Sequence, residues 1–161
     1  MRPLVRFLIA TSIAIAVAGC GANIGDSCIV SSDCSIDGSR VCIDSDQAGG
    51  YCTIEGCDYD TCPSESTCVR FFTGSFQNEA CTMQSDCSDD EECTLPGFCA
   101  PRSAEVRYCM ATCSSDGDCR DGYECRDYAK DITDGGEPVL APGDTLTSKN
   151  APKFCAVKPA T

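Results

Sequence analysis

Sixteen cysteines between residues 28 and 155 limit the possible folds of this chain more than any other sequence feature. They form about 11% of the residues after position 19, and more than roughly 8–10% in a short exported chain indicates a disulfide scaffold. Their number is even, so all of them can pair. The disulfide candidates are Cys28, Cys34, Cys42, Cys52, Cys57, Cys62, Cys68, Cys81, Cys87, Cys93, Cys99, Cys109, Cys113, Cys119, Cys125 and Cys155.

The rest of the composition offers little material for a hydrophobic core. Leu, Ile, Val and Phe form about 14% of the residues after position 19, and the chain has no Trp. A highly charged chain with less than roughly 20% of these residues is expected to be disordered. Closing a loop of about 15 residues with a disulfide contributes about 3 kcal/mol in the chain-entropy model. We therefore expect disulfides to replace an ordinary core.

The cysteines divide into four quartets of similar spacing, C-x(4–5)-C-x(5–7)-C, with an aromatic residue before a later fourth cysteine. In three quartets Asp precedes the second cysteine (Asp33, Asp86 and Asp118), and Thr61 takes that place in the other. A purely sequential division, with 57–81 and 87–109 as units, is the alternative. The preferred units are 28–52, 57–109 with 81–99 inserted into its last loop, and 113–155 with a long loop at 126–154.

This spacing predicts a small disulfide-rich fold of short β-hairpins and irregular loops with little helix, because Asp, Ser and Gly crowd the loops and favour tight turns. Each quartet allows three pairings. We prefer the interlocked one, first with third and second with fourth, which gives Cys28–Cys42 and Cys34–Cys52 in the first unit. Exchange of partners between units stays open.

Two stretches lie outside the cysteine network. Residues 69–80 contain Phe71, Phe72 and Phe76, which form either a small shared core or an exposed apolar patch. The loop 126–154 is long for a segment without cysteine, and such loops are usually functional or disordered. It is the first candidate for partner contacts.

The N-terminal 19 residues read as a signal peptide. Arg2 and Arg6 precede an apolar stretch at 7–18, which is too short to span a bilayer but fits a secretory h-region. The run Val17-Ala18-Gly19-Cys20 resembles the bacterial lipobox. The resemblance implies cleavage before Cys20 and a diacylglyceryl thioether on its sulfur. An ordinary signal peptide is the alternative.

Several acyl chains would hold the protein stably on its membrane. Residues 20–27 would then be the lipidated terminus and a short tether, and 156–161 a tail. Gly21 follows the lipobox-like cysteine, where Asp retains familiar lipoproteins at the inner membrane. The resemblance thus implies the outer membrane, facing the periplasm or the cell surface.

The charge excludes some partners. Without residues 1–19 the chain has ten basic and 25 acidic residues, a formal net charge of −15. Phosphate binding needs Lys and Arg, so we expect no nucleic-acid partner. The acidity also argues against docking of the folded part on anionic lipid headgroups.

The residues of common active sites are missing. The chain has no His and no CxxC, which removes the usual general base and the common zinc and redox motifs. We therefore expect no enzyme activity, no cofactor and no metal centre. Calcium is the one ion worth weighing, at Asp116, Asp118 and Asp121 or at Asp44 and Asp46, although no EF-hand loop is present.

The C-x5-DC-x5-C spacing, clearest in 113–125, resembles the N-terminal cysteine-rich region of Dickkopf proteins and cysteine-rich lipoproteins of deltaproteobacteria. Dickkopf domains bind extracellular receptors, so the resemblance implies a binding module. The sequence thus predicts a lipid-anchored envelope protein with a role in binding, adhesion or structure and an unidentified protein or envelope partner. The alternative is an inhibitor or effector that blocks a secreted enzyme or receptor through an exposed loop.

Overall fold

The computed structural model describes residues 21–43, 48–76 and 79–159. Within these ranges the chain has short strands, two short helices and three single 3₁₀ turns, so a small disulfide-rich fold with little helix is confirmed. The helices are α1 (Ser31–Cys34) and α2 (Tyr128–Asp134), and the 3₁₀ turns are Gln84–Asp86, Arg102–Ala104 and Asp116–Asp118. The strands are β1 (Val41–Ile43), β2 (Tyr51–Thr53), β3 (Ser66–Phe72), β4 (Glu91–Cys93), β5 (Cys99–Pro101), β6 (Glu105–Ala111), β7 (Tyr123–Arg126), β8 (Glu137–Pro138) and β9 (Phe154–Val157).

Four antiparallel strand pairs repeat the same cysteine arrangement. The pairs are β1–β2, β3–β6, β4–β5 and β7–β9, and β8 joins the free edge of β3. In each pair the third and fourth cysteines of a quartet lie directly opposite each other on neighbouring strands. These positions are Cys42 and Cys52, Cys68 and Cys109, Cys93 and Cys99, and Cys125 and Cys155.

All sixteen candidate cysteines are in disulfides, and each quartet has the interlocked pairing. Cys28–Cys42 and Cys34–Cys52 are both present in the first unit. Cys62–Cys109 spans the whole of the 81–99 unit, so the sequential division is not the one observed. The other pairs are Cys57–Cys68, Cys81–Cys93, Cys87–Cys99, Cys113–Cys125 and Cys119–Cys155.

The Asp before the second cysteine closes a turn in three units. The carboxylate of Asp33 accepts the backbone N–H groups three and four residues earlier, at 3.1 and 2.8 Å, and Asp86 and Asp118 do the same. These hydrogen bonds lower the pKa of all three carboxyls. Thr61 replaces them with its hydroxyl, which accepts the N–H of Asp58 at 2.8 Å. The same turn therefore forms with either side chain.

A small core connects three of the units. Cystine sulfurs and a few apolar residues form it, and the rings of Tyr51 and Tyr123 lie 5.4 Å apart at its centre. The guanidinium of Arg120 lies 4.2 Å from the centroid of the Tyr123 ring and donates to the carbonyl oxygen of Gly50. The apolar cluster consists of Ile24, Tyr51, Cys57, Cys68, Val69, Cys109, Met110, Tyr123, Phe154 and Ala156.

The predicted phenylalanine core is only partly present. Phe71 packs against the main cluster and meets Phe154 edge-on, with ring centroids 6.3 Å apart. Phe72 and Phe76 are half-buried and lie outside that cluster. The alternating directions of side chains on β3 explain the difference between Phe71 and Phe72, because consecutive residues of a strand face opposite sides. Phe76 lies in the loop after this strand.

The segment 21–27, predicted as a short tether, is part of the folded structure. Ile24 is buried in the main cluster, and the backbone N–H of Ala22 donates to the carbonyl of Cys34 at 3.1 Å. The N–H of Gly25 donates to the carbonyl of Cys52 at 2.9 Å. The small, polar residues of this segment suggested a chain that does not contact the fold. One buried isoleucine and these backbone hydrogen bonds hold it in place.

The loop 126–154 also contains more structure than predicted. Asp127 accepts the N–H groups of Ala129 and Lys130 at the start of α2. Arg126 is buried, and its guanidinium donates to the carbonyls of Asp134 and Gly135 at the end of the same helix. The start and the end of this helix are therefore both satisfied by neighbouring side chains.

Asp131 on α2 is fully buried, and neither of its carboxylate oxygens has a hydrogen-bond partner within the described ranges. Burial raises the pKa of Asp131 to about 7, although the nearby charge of Arg126 opposes the increase. Because the pKa of Asp131 is higher in the folded chain than in the unfolded chain, its protonated form favours the native state at low pH. This stabilisation is lost as the pH rises to about 7.

No helix in the described part of the chain is long and apolar enough to cross a bilayer.

We predict that Asp131→Asn removes this pH dependence. The free energy of unfolding of the native chain should fall by about 4 kcal/mol between pH 4 and pH 8, as the buried carboxyl loses its proton. The variant should lack this decrease, measured by urea unfolding of the oxidised protein at each pH. Asp134→Asn changes an exposed carboxylate on the same helix and is the control. A native profile that is flat over this range would contradict the prediction.

Candidate functional site

Arg70 on β3 lies at the centre of a charged cluster. Its guanidinium donates two hydrogen bonds to Glu137 Oε2, at 2.9 and 2.6 Å, and a third to Glu92. Glu92 also accepts a hydrogen bond from Arg102 at 2.6 Å. Burial by itself would lower the pKa of Arg70, but the charges of Glu137 and Glu92 and their hydrogen bonds raise it above its ordinary value. The cluster is therefore a partly buried arrangement of permanent charges.

Glu137 connects three segments that are far apart in sequence. It lies on β8 directly opposite Arg70 on β3, and its Oε1 accepts the backbone N–H of Leu95 in the 81–99 unit. Its carboxylate is almost completely buried. Because its two oxygens are both occupied by donors, Glu137 holds the loop 126–154 and the 81–99 unit at defined positions against the central sheet.

The 81–99 unit depends strongly on these polar contacts. The main apolar cluster contains residues from the three other units but, among the described residues, none from 81–99. The unit contacts β3 and β8 through Glu92 and Leu95, and it contacts its own flanking residues through a backbone bridge between Ala80 and Phe98 and a hydrogen bond from Arg102 to Asp90. It is thus a separately stapled hairpin attached to the sheet by charge pairs.

An open groove lies above this charged cluster, between the 81–99 unit and residues 137–146. Its volume is about 780 Å³, and Arg70, Glu92 and Glu137 line its floor. Leu95 comes from one wall, and Leu140 and Leu146 come from the other. The chain has three leucines after residue 20, and all three line this groove.

These leucines are only partly buried, and no leucine belongs to the apolar clusters of the described residues. Leucine is one of the residues most often fully buried in proteins. Concentrating a scarce apolar residue around one groove, outside the core, is typical of an interaction site. The groove is therefore the candidate functional site.

The predicted partner loop contributes half of this site. Within 126–154, residues 137–146 form one wall, whereas the part before them forms α2 and packs against the rest of the fold. Sequence analysis did not identify Arg70, Glu92 or Glu137 as site residues. In the sequence, each of these residues appears only as a charged residue in a strand-like segment. Their contacts join positions that are 22 to 67 residues apart, and a local sequence pattern does not reveal such contacts.

Two of the carboxylates considered for calcium, Asp116 and Asp118, already have protein partners. Asp118 accepts backbone N–H groups in its turn, and Asp116 Oδ1 accepts the N–H of Cys125 at 2.9 Å. Asp121 is exposed. The alternative pair, Asp44 and Asp46, lies outside the described residues.

Four groups of close cysteine sulfurs occur in the described part of the chain, one in each quartet. All of these sulfurs are in disulfides, so they are not thiolates available to a metal. Cys20, the predicted lipid carrier, lies outside the described residues.

Comparison of the chain with protein-family models, with curated protein sequences and with solved structures finds no match.

We predict that Glu137→Gln loosens the 81–99 unit. The substitution removes the charge that compensates Arg70 and should lower the free energy of unfolding by about 2–3 kcal/mol. Hydrogen exchange at the Leu95 amide should accelerate at least tenfold. Glu65→Gln, which changes an exposed partner 3.6 Å from Arg40, is the control and should have little effect. Unchanged exchange at Leu95 would show that the charge cluster does not hold this unit.

Proposed function

We propose that this chain is a lipid-anchored, exported binding protein that takes an apolar segment of a partner protein into the groove between the 81–99 unit and residues 137–146. The observation that carries the proposal is the position of all three leucines after residue 20 around that groove. Leucine side chains on both walls favour an apolar segment laid between them. The charged side chains on the floor form ion pairs with one another, so their role is to hold the two walls in position.

The groove supports binding better than catalysis. A catalytic acid or base must be free to exchange a proton with a substrate. Both oxygens of Glu137 accept hydrogen bonds from the protein, and Glu92 lies between Arg70 and Arg102. The chain also has no histidine to serve as a general base.

The disulfides and the lipobox-like run support export and anchoring. Eight disulfides persist in an oxidising compartment such as the periplasm or the cell surface. Cys20 stands outside the quartets, at the end of the lipobox-like run, where a thiol takes the lipid. The outer membrane is the proposed location, because Gly21 follows Cys20.

A second proposal is that binding blocks a secreted enzyme or a receptor. It is favoured by the exposed stretch at 142–145, which lies at the rim of the same groove. The two proposals differ in outcome: a blocked partner loses activity when the chain binds, whereas a partner held for adhesion or envelope structure does not. An activity assay on the captured partner distinguishes them.

We predict that Leu140→Ser with Leu146→Ser weakens partner capture at least tenfold, since two buried leucine contacts contribute about 1.5–3 kcal/mol each. The measurement is quantitative cross-linking of the full-length protein in its native envelope, comparing the proteins recovered with each variant. Ile132→Ser changes an exposed apolar residue on α2 outside the groove and is the matched control. Equal loss in both variants, or no loss in either, would contradict the groove as the binding site.

We predict that Cys20→Ser abolishes acylation of the chain. The sulfur of Cys20 would carry the lipid, so the serine variant should incorporate no labelled fatty acid, whereas the native chain should incorporate it. Intact-mass analysis should show the native protein heavier than the unmodified chain from residue 20 by its acyl chains. A native mass equal to that of the unmodified polypeptide would contradict the anchor.

A further inference from the structure

The first cysteine unit exposes three large apolar side chains. Ile29, Val30 and Ile36 are 83%, 53% and 96% exposed. Only three other large apolar residues in the described part of the chain are exposed, and they are spread over three other regions, at Tyr59, Met83 and Ile132. A local concentration of this kind differs from single exposed apolar residues, which are common on protein surfaces.

The other three cysteine units contain the same turn, so their residues can be compared with those of the first unit. Ile29, Val30 and Ile36 lie one and two residues after the first cysteine and two residues after the second. All equivalent positions in the other units are exposed as well. They are Thr82, Met83 and Asp89 in the 81–99 unit, Ser114, Ser115 and Asp121 in the 113–155 unit, and Asp58, Tyr59 and Ser64 in the 57–109 unit.

Polar residues are therefore compatible with this turn and its disulfides. The Asp-closed turn forms in the 113–155 unit with Ser114 and Ser115, with backbone hydrogen bonds of 2.8 and 2.9 Å to Asp118. In the first unit Asp33 accepts the N–H groups of Ile29 and Val30 in the same way. The turn needs their backbone, not their apolar side chains, so the fold alone does not explain these residues.

The position of the N-terminal segment indicates what kind of partner covers these three apolar side chains. Ala22 is held against this unit, because its N–H donates to the carbonyl of Cys34 at 3.1 Å and its carbonyl accepts from Arg40. Gly21 and Ile36 line the same surface depression. Two residues of trans backbone reach at most about 7.6 Å between Cα atoms. A lipid on Cys20 would therefore leave the protein beside Ile36.

We propose that Ile29, Val30 and Ile36 form a membrane-contact surface that inserts into the bilayer interface next to the lipid on Cys20. The inference rests on the proposed lipid anchor. With only Gly21 between Cys20 and the folded unit, the anchor holds this face of the first unit at the lipid surface. The contact fixes the orientation of the protein relative to the membrane.

The charge around the surface selects the type of lipid. Asp33 and Asp37 are exposed carboxylates within the same turn and loop. Arg40 lines the same depression as Ile36, but its guanidinium donates to the carbonyl of Ala22 and lies 3.6 Å from Glu65. Anionic headgroups would be repelled. The contact is thus an apolar one with zwitterionic lipid, and it needs no basic patch.

The absence of tryptophan from the native chain makes a direct test possible. Val30→Trp and Met83→Trp place single reporters at equivalent turn positions that are 53% and 60% exposed. The full-length lipidated proteins are reconstituted in phosphatidylcholine–phosphatidylethanolamine vesicles with brominated acyl chains. Fluorescence of the Val30→Trp variant should fall at least twofold and shift to the blue, whereas the Met83→Trp variant should show neither change.

A second comparison tests the apolar surface itself. Ile29→Ser and Ile36→Asp take residues from the 113–155 unit, where the same turn folds. Added to Val30→Trp, they should restore most of the quenched fluorescence without releasing the protein from the vesicles. Equal quenching of the Val30→Trp and Met83→Trp variants, with an acylated Cys20, would overturn the surface and leave the anchor standing. An unmodified Cys20 in the intact mass would overturn both.

Discussion

The rest of the structure depends on two interlocked disulfides at each strand pair. The third and fourth cysteines of a quartet face each other across a pair of antiparallel strands, and each is bonded to a cysteine of the preceding turn. The turn is thereby held against both strands, and little apolar packing is needed. Strand pairs of three residues are marginal in water by themselves. Restricting the unfolded chain makes such short elements sufficient.

Each cysteine unit is held together by its own disulfides, and this leaves apolar residues available for binding. Because the 81–99 unit is stapled within itself, it contributes to the fold through a few polar contacts, and the apolar residues that a core would have used are available at its surface. The same applies to the first unit, where Ile29, Val30 and Ile36 occupy turn positions that are all polar in the 113–155 unit. Both proposed interaction surfaces arise from residues that the scaffold does not require for its stability.

Charge acts differently at the two proposed interaction surfaces. Around Arg70, opposite charges are paired inside the fold and position the groove walls. Around the first unit, the carboxylate of Asp33 is occupied by backbone N–H groups, so its charge closes a turn. An acidic chain can thus expose apolar surfaces, because many of the charged side chains near them form ion pairs or hydrogen bonds within the fold.

The spacing of the cysteines was sufficient to predict the fold class, because a chain with so many cysteines and so few apolar residues can be held together only by disulfides. The spacing left three pairings open in each quartet, and the preferred interlocked pairing is the one observed. The nested 81–99 unit also followed from the aromatic at Tyr108. The packing of Ile24 and the Arg70–Glu137–Glu92 cluster could not be predicted, because each depends on contacts between distant segments, as in the 67 residues between Arg70 and Glu137. The helix α2 was not predicted, although its N-cap residue Asp127 is a local signal. The sequence by itself determined the scaffold and suggested the lipid anchor, whereas only the tertiary structure brought three leucines to one groove.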